Sequence, residues 1–578
     1  MNGYLRKSLL PGLLFSGITC TLMAQSRPVI YQLLPRLFGN KQTNNIPYGT
    51  IAENGSGKFN DINEPALQGI RELGITHVWY TGVIAHASLT DYSAYGIPMD
   101  DADVVKGRAG SPYAIRDYYD VDPDLALDVS RRMQEFEALV SRTHEQGMKV
   151  LIDFVPNHVA RHYQSQARPE GVQDFGATDD DTKSFSPAND YYYVPGEPFL
   201  TPVAQGPETP LTALQDHYFN EVPAKATGNN VFSRQPKIDD WYETVKLNYG
   251  VDYADGERKH FDPIPGLWHK MAAILNYWAD ENIDGFRCDM VEMVPVEFWE
   301  WVIPEVRKKH PGLIFIGEAY NPAVYGDYLH KGHFDYLYDK VGLYDGLKKL
   351  IRNEHDADVK VISRVWQEES KDFGNRMLRF LENHDEERIA SAGFAGNAEY
   401  ALPAMVISTT LSGGPVMLYF GQEVAEPGKG QEGFGGDDNR TTIFDYWGVP
   451  EHQKWMNNGA FDGALLTEEQ RQLRGYYKKL MEVCGQDDAI VNGEILEIPL
   501  HEQRAYAFVR YTSSRRLLVV ANFDRAQTLQ KSVNIPDALR SIKEIQKPAD
   551  LLSGAEVKYR DQELMLNVPP MTAQIIEF

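Results

Sequence analysis

The sequence has little cysteine and no excess of positive charge. Only three of its 578 residues are cysteine, and Cys20 lies in an apolar N-terminal stretch. The other two, Cys288 and Cys484, cannot make a disulfide framework; Cys288 sits in the run GFRCDM, where cysteine packs as a small buried hydrophobe. Two free thiols are expected. Lysine and arginine number 57 against 82 aspartate and glutamate, a formal net charge of −25. Nucleic acid binding draws on a basic stripe that replaces counterions, so this balance argues against a polyanion partner and suits a neutral substrate. No internal repeat or low-complexity tract stands out, and no membrane span is expected.

What is there is a globular composition, 43% hydrophobic and 11% aromatic, enough for a large enzyme core with smaller domains attached. The N-terminus, MNGYLRKSLLPGLLFSGITCTLMAQS, places Arg6 and Lys7 before an apolar run that Pro11 and Gly17 interrupt and that ends near Ala24. This is the pattern of a secretory signal over residues 1–24, and it predicts export to the periplasm or the cell exterior. Gly17-Ile18-Thr19 is a poor lipobox, which leaves a lipid anchor at Cys20 as the alternative.

Short apolar segments then alternate with amphipathic ones. PVIYQLLPRLF, THVWYTGVI, KVLIDFVPNH, DGFRCDM, LIFIGEAY, FDYLYD, RMLRFLENHD and PVMLYFGQE read as strands, separated by helical patterns such as DVSRRMQEFEALVSRTHEQG and GLWHKMAAILNYWADEN. About eight strand candidates before residue 425 predict an α/β fold, a closed (β/α)8 TIM barrel. The Pro-, Gly-, Asp- and Tyr-rich stretch 158–253 is too long for an ordinary connection and is assigned as an inserted small domain after the third strand. The barrel then occupies 25–157 and 254–484, and the short strand-like runs of 485–578 predict a C-terminal antiparallel β-sandwich.

Barrel enzymes place their chemistry at the C-terminal strand ends, and four strands here end in polar clusters. These hold Asp153, Asn157 and His158; Arg287 and Asp289; Glu318; and Asn383, His384, Asp385 and Arg388. Arg287 and Asp289 are two residues apart and share a strand face, so the guanidinium can orient the carboxylate and keep it ionised as a nucleophile. Glu318 ends the next strand, where repulsion from Asp289 and burial would keep it protonated as a general acid. Two carboxyls flanking one bond make a glycosidase arrangement, and a spacing of about 5 to 5.5 Å would make it a retaining one. Taken singly, each cluster also reads as a cap or loop hydrogen bond.

In this order the clusters resemble the signature segments of the α-amylase family of glycoside hydrolases, glycoside hydrolase family 13, over about residue 28 to the C-terminus. DFVPNH, GFRCD, GEAY and ENHD are similar to four of them, WYETVKLNYG to an auxiliary segment, and GGPVMLYFGQE to the last barrel strand. The resemblance implies Asp289 as nucleophile, Glu318 as general acid/base and Asp385 as the third carboxylate, holding sugar hydroxyls. It implies that His158 and His384 hydrogen-bond the sugar, that Arg287 orients Asp289, that Tyr113 forms a stacking platform, and that Arg388 contacts the glycone. Core packing is the other reading of Tyr113. Where many members carry Lys-His after the nucleophile, this chain has Glu292 and Met293, so the leaving-group side is unusual. The barrel begins at Val29-Ile30-Tyr31, which leaves out the N-terminal β domain of neopullulanase types and makes a monomer the expectation.

FGNKQTNN and GKFNDI are similar to a first-loop calcium site in part of the family, implicating Asn40, Asn44, Asn45 and Asp61. Oxygen-rich flexible loops suit a structural calcium ion, although such loops also make ordinary turns. Asn157 matches another calcium-binding position of the family. The chemistry itself calls for no metal. The resemblance thus implies an exported retaining hydrolase of α-1,4 bonds in starch-derived glucans and malto-oligosaccharides. An α-glucosidase or transglycosylase is the alternative within the family, and a non-catalytic glycan-binding protein on the same fold the alternative outside it.

Overall fold

The computed structural model describes residues 27–540, 542 and 547–578. The leader-like stretch and Cys20 lie outside the described residues. Eight strands form one parallel sheet: β1 (Val29–Leu33), β2 (His77–Tyr80), β3 (Lys149–Phe154), β4 (Gly285–Cys288), β5 (Ile314–Gly317), β6 (Tyr336–Tyr338), β7 (Met377–Leu378) and β8 (Val416–Tyr419). β8 pairs with β1, and Arg379 just past β7 bridges Val416 in parallel, so the sheet closes on itself as the sequence predicts. Every residue of β1, β2 and β4 is buried, the continuous apolar character expected of strands covered on both faces.

Helices cover the outside. Arg132–Glu145 turns Phe136, Leu139 and Val140 onto the barrel, and Gly266–Asp280 does so with Trp268, Leu275 and Trp278. Glu468–Cys484 starts at a Thr467 cap whose side chain accepts from Gln470 N–H, while the Gln470 side chain reciprocates to Thr467 N–H.

Between β3 and the Gly266–Asp280 helix the chain makes three small antiparallel pairs, His158–Ala160 with Thr244–Lys246, Tyr193–Val194 with Ala224–Lys225, and Val251–Asp252 with Arg258–Lys259. Apolar residues of this stretch, among them Val159, Tyr191, Val245 and Leu247, join the main core. Arg161 lies 3.8 Å over the Phe199 ring and pairs with Glu221 at 2.6 Å.

The C-terminal region is two antiparallel sheets. β9 (Glu494–Glu497), β10 (Ala505–Tyr511) and β11 (Arg516–Asn522) belong to the first, and β12 (Leu529–Asn534) to the second. β11 reads RLLVVAN because both its faces are covered. Leu518 and Val520 face the space between the sheets, whereas Leu517, Val519 and Ala521 join the barrel core. Cys288 and Cys484 are buried free thiols. Among the described residues no helix is long and apolar enough to cross a membrane.

Candidate active site

Register places the acids. Arg287 on β4 pairs with Asp153 on β3, and Cys288 pairs with Gly317 on β5. The next residues on these two strands, Asp289 and Glu318, therefore leave the barrel side by side. The ladder carries on past the strand ends: Asp289 N–H donates to Phe154 O at 2.9 Å and Glu318 N–H to Cys288 O at 3.0 Å. Both acids are buried, 6% and 3% exposed, and so is Arg287, at 1%.

One guanidinium serves all three neighbouring carboxyls. Arg287 Nη1 lies 2.8 Å from Asp289 Oδ1 and 3.5 Å from Asp153 Oδ1, Nη2 lies 2.8 Å from Glu318 Oε2, and Nε donates to the Tyr338 hydroxyl at 3.2 Å. Trp79, Tyr113 and Tyr338 surround it with ring centroids 5.2–5.6 Å away. Three carboxyls against one cation leave excess negative charge in a desolvated place. Burial and the charge of Glu318 push Asp289 well above the carboxylate range despite Arg287, and burial likewise raises Asp153.

The residue after Asp289 is strained. Met290 has φ 43° and ψ 49°, a left-handed conformation unusual for a side chain of this size. The twist turns its N–H onto Glu318 Oε2 at 2.8 Å.

Asp385 reaches the same mouth from the loop after β7. Asn383 shapes that turn, its Oδ1 accepting from Asp385 N–H at 2.8 Å and Glu386 N–H at 2.9 Å. Asp385 keeps 40% of its side chain exposed and lies 2.9 Å from His384 Nε2. Burial alone would raise Asp385, but His384 and Arg287 outweigh it and hold the carboxyl at about 2. His384 is in turn held by Gln32 at 2.7 Å through Nδ1, by the Tyr113 hydroxyl at 2.6 Å through Nε2, and by the Tyr113 ring, stacked at 5.2 Å. Tyr113 is half-buried and also donates to Asp153 at 3.3 Å. His158 sits against Trp241 at 5.2 Å, and burial together with Lys246 and Lys106 lowers it to about 3, so it is neutral.

The structure thus brings Asp289, Glu318, Asp385, Arg287, His384 and Tyr113 into one connected network. Arg388 is a correction to the expected glycone contact. It has no exposed surface, pairs with Glu382 at 2.9 Å, donates to Phe420 O and Thr441 Oγ1 at 2.8 Å, and lies 4.1 Å over the Tyr419 ring. It braces the loops after β7 and β8; Arg440, which donates to Asp385 O at 3.2 Å, is the more exposed cation there.

The four residues assigned to calcium do not fit an ion as they stand. Asp61 is occupied by Lys41 Nζ at 2.7 Å and Lys58 N–H at 2.9 Å. Asn40 donates to Asn54 O and Trp447 O, Asn44 to Glu53 O, and Asn45 to Gly448 O. The oxygens that calcium would need are also engaged, Asn40 Oδ1 accepting from Gln42 N–H at 3.0 Å and Asn45 Oδ1 from Gly448 N–H at 2.7 Å, and the one carboxylate already has a cation. Among the described residues no group of three or more His, Cys, Asp or Glu side chains is arranged for a metal. At Asn157, too, a cation is supplied internally: Lys246 Nζ donates to Asn157 Oδ1 and to Met293 O.

Sequence reasoning assigned no role to Asp153, Gln32, Lys246, Tyr320, Glu292 or Arg440. Asp153, Lys246 and Tyr320 lie within the signature-like segments and Glu292 just after one, but their partners were not legible there; Gln32 and Arg440 carry no local signal.

Residues 32–489 match the family model described as the catalytic domain of alpha amylase. The chain belongs to the α-amylase family. Among curated relatives, "Alpha-amylase 3" of Dictyoglomus thermophilum is 23% identical over 72% of this chain and 74% of its own length. "Neopullulanase 2" of Thermoactinomyces vulgaris is 22% identical over 95% and 77%. Among solved structures, a noncanonic maltogenic alpha-amylase, AmyB, from Thermotoga neapolitana superposes with a TM-score of 0.58 at 20% identity, covering 95% of this chain and 98% of that one. At that identity the superposition shows a shared fold alone.

Proposed function

We propose that this family member is a retaining glycoside hydrolase that cleaves α-1,4-glucosidic bonds in starch-derived glucans and malto-oligosaccharides. The observation that carries the reading is the single guanidinium of Arg287 holding Asp289 and Glu318 at 2.8 Å each, with Asp385 in the same network. Two carboxyls held on one guanidinium fork suit the close spacing that a double-displacement mechanism needs. Asp289 Oδ1 is engaged by Arg287, and Oδ2 makes no hydrogen bond among the described residues, so Oδ2 is the oxygen offered to the anomeric carbon. Glu318 protonates the departing oxygen and later deprotonates the incoming water. Asp385, held ionised, accepts from sugar hydroxyls as the ring flattens. The excess negative charge around Arg287 is unfavourable in the empty site and favourable once a cationic, oxocarbenium-like centre forms; the site is built for the transition state.

The leader-like N-terminus supports export, and the chemistry uses no metal. The test is a time course of products from maltoheptaose, maltose and pullulan, with anomeric configuration followed by proton NMR. Initial α-anomers of mixed length are expected. Initial β-anomers would overturn retention, glucose alone would move the assignment to an α-glucosidase, and products longer than the substrate would move it to a transglycosylase.

A further inference from the structure

Glu318 presents its two oxygens to neighbours of different chemistry. Oε2 faces Met290 N–H at 2.8 Å and Arg287 Nη2 at 2.8 Å, and both groups only donate. A proton on Oε2 would point at two donors, so the proton of the acid form belongs on Oε1. Oε1 has one partner, the Tyr320 hydroxyl at 2.5 Å. A phenol both donates and accepts, which makes it compatible with the carboxylate and with the acid. Burial and the charge of Glu318 push the Tyr320 hydroxyl far up, so it keeps its own proton throughout.

Tyr320 is itself fastened. Its N–H donates to Glu292 Oε2 at 2.8 Å, and Asn321 N–H donates to Glu292 Oε1 at 2.9 Å. Glu292 belongs to the short turn Val291–Met293 that follows the nucleophile, and Met293 O on the same turn is held by Lys246. The two oxygens of one carboxylate thus clamp two successive peptide groups and fix the bend from which the Tyr320 ring projects. Glu292 is thus spent on the loop that carries the acid's partner.

We propose that Tyr320, clamped by Glu292, is a positioning residue that keeps the transferable proton on Oε1 of Glu318 and aims it at the glycosidic oxygen. The inference rests on Glu318 being the general acid. In the step, the Oε1–H bond breaks as an O–H bond forms on the glycosidic oxygen. The C1–O bond breaks with its electron pair staying on the leaving sugar, and a lone pair of Asp289 Oδ2 forms the new bond to C1. The Tyr320 hydroxyl then donates to the carboxylate left on Oε1.

The experiment compares maltotetraose, whose leaving sugar needs a proton, with α-maltosyl fluoride, whose fluoride leaves without one. Tyr320→Phe is expected to lower kcat/KM, which reports the glycosylation step alone, about 10- to 100-fold on maltotetraose and by no more than about threefold on the fluoride. Glu292→Ala is expected to show the same split, smaller in size. Equal losses on both substrates would mean a merely structural role, and undiminished maltotetraose turnover in Tyr320→Phe would mean none; either overturns the proposal. Glu318→Gln separates the underlying assignment. A deep loss of kcat/KM confined to maltotetraose identifies the acid, whereas an undiminished kcat/KM on maltotetraose in that variant would remove Glu318 as acid and the proposal with it.

Discussion

The amino group of Lys246 is hydrogen-bonded to the amide oxygen of Asn157, beneath the inserted segment, with 1% of the lysine exposed. Its second acceptor is Met293 O at 2.9 Å, so one side chain ties the end of β3, the inserted segment and the turn after the nucleophile. Burial lowers Lys246 to about 7, and even the neutral amine has two N–H donors for these two acceptors.

Lys246→Met should therefore cost about 2–4 kcal/mol by leaving two buried acceptors without donors. It should also lower kcat, since the Met293 turn is released. Denaturant unfolding and maltotetraose kinetics read the two effects. Because the first-loop residues are tied to one another and to Lys41, a chelator should leave both the activity and the Tm of the wild type unchanged; loss of either on EDTA treatment would restore the calcium assignment.

Arg287→Lys replaces a fork by a point charge. A single ammonium cannot hold Asp289 and Glu318 together in the geometry of two 2.8 Å contacts. A fall in kcat/KM of about 10²- to 10³-fold is expected, measured on maltotetraose.

Arg388→Met should act on stability and not on substrate affinity. The change removes the cation from Glu382, buried at 1% exposure and already pushed up to about 7 by burial, so the carboxyl protonates, and a loss of about 1–3 kcal/mol is expected from the broken buried hydrogen bonds. The KM of the folded variant should match the wild type; a selective rise in KM would reinstate Arg388 as a sugar contact.

Three buried histidines make the fold acid-sensitive. Burial lowers His77 to about 4 and His158 and His452 to about 3, against about 6.5 in an unfolded chain. Between those values the unfolded state binds more protons, so stability rises with pH from about 3–4 to 6.5 and is lost as pH falls below 6.5. His452 lies outside the site and contacts Phe38 O at 2.9 Å through Nε2. His452→Gln, which can still donate to that oxygen, should flatten the dependence by up to about 1.4 kcal/mol per pH unit, as read by urea unfolding at pH 4.5, 5.5 and 6.5.

By itself the sequence determined the barrel, the tail sheets and the chain order of the strand-end acids. These rest on local periodicities and on residues adjacent in the chain, such as Arg287 and Asp289. Tertiary structure decided which of those residues meet. The pairing of Cys288 with Gly317 sets Asp289 beside Glu318, and closure brings Gln32 and Tyr113 to His384 from 352 and 271 residues away. It decided, too, that burial and a neighbouring carboxyl push Asp289 up, that Arg388 is buried against Glu382, and that Lys41 takes the Asp61 carboxylate. Glu292 was visible as a departure from the family pattern, but its use as a clamp needed the backbone of Tyr320 and Asn321 beside it. Desolvation and hydrogen-bond geometry are properties of surroundings, and those surroundings exist only once the barrel has closed.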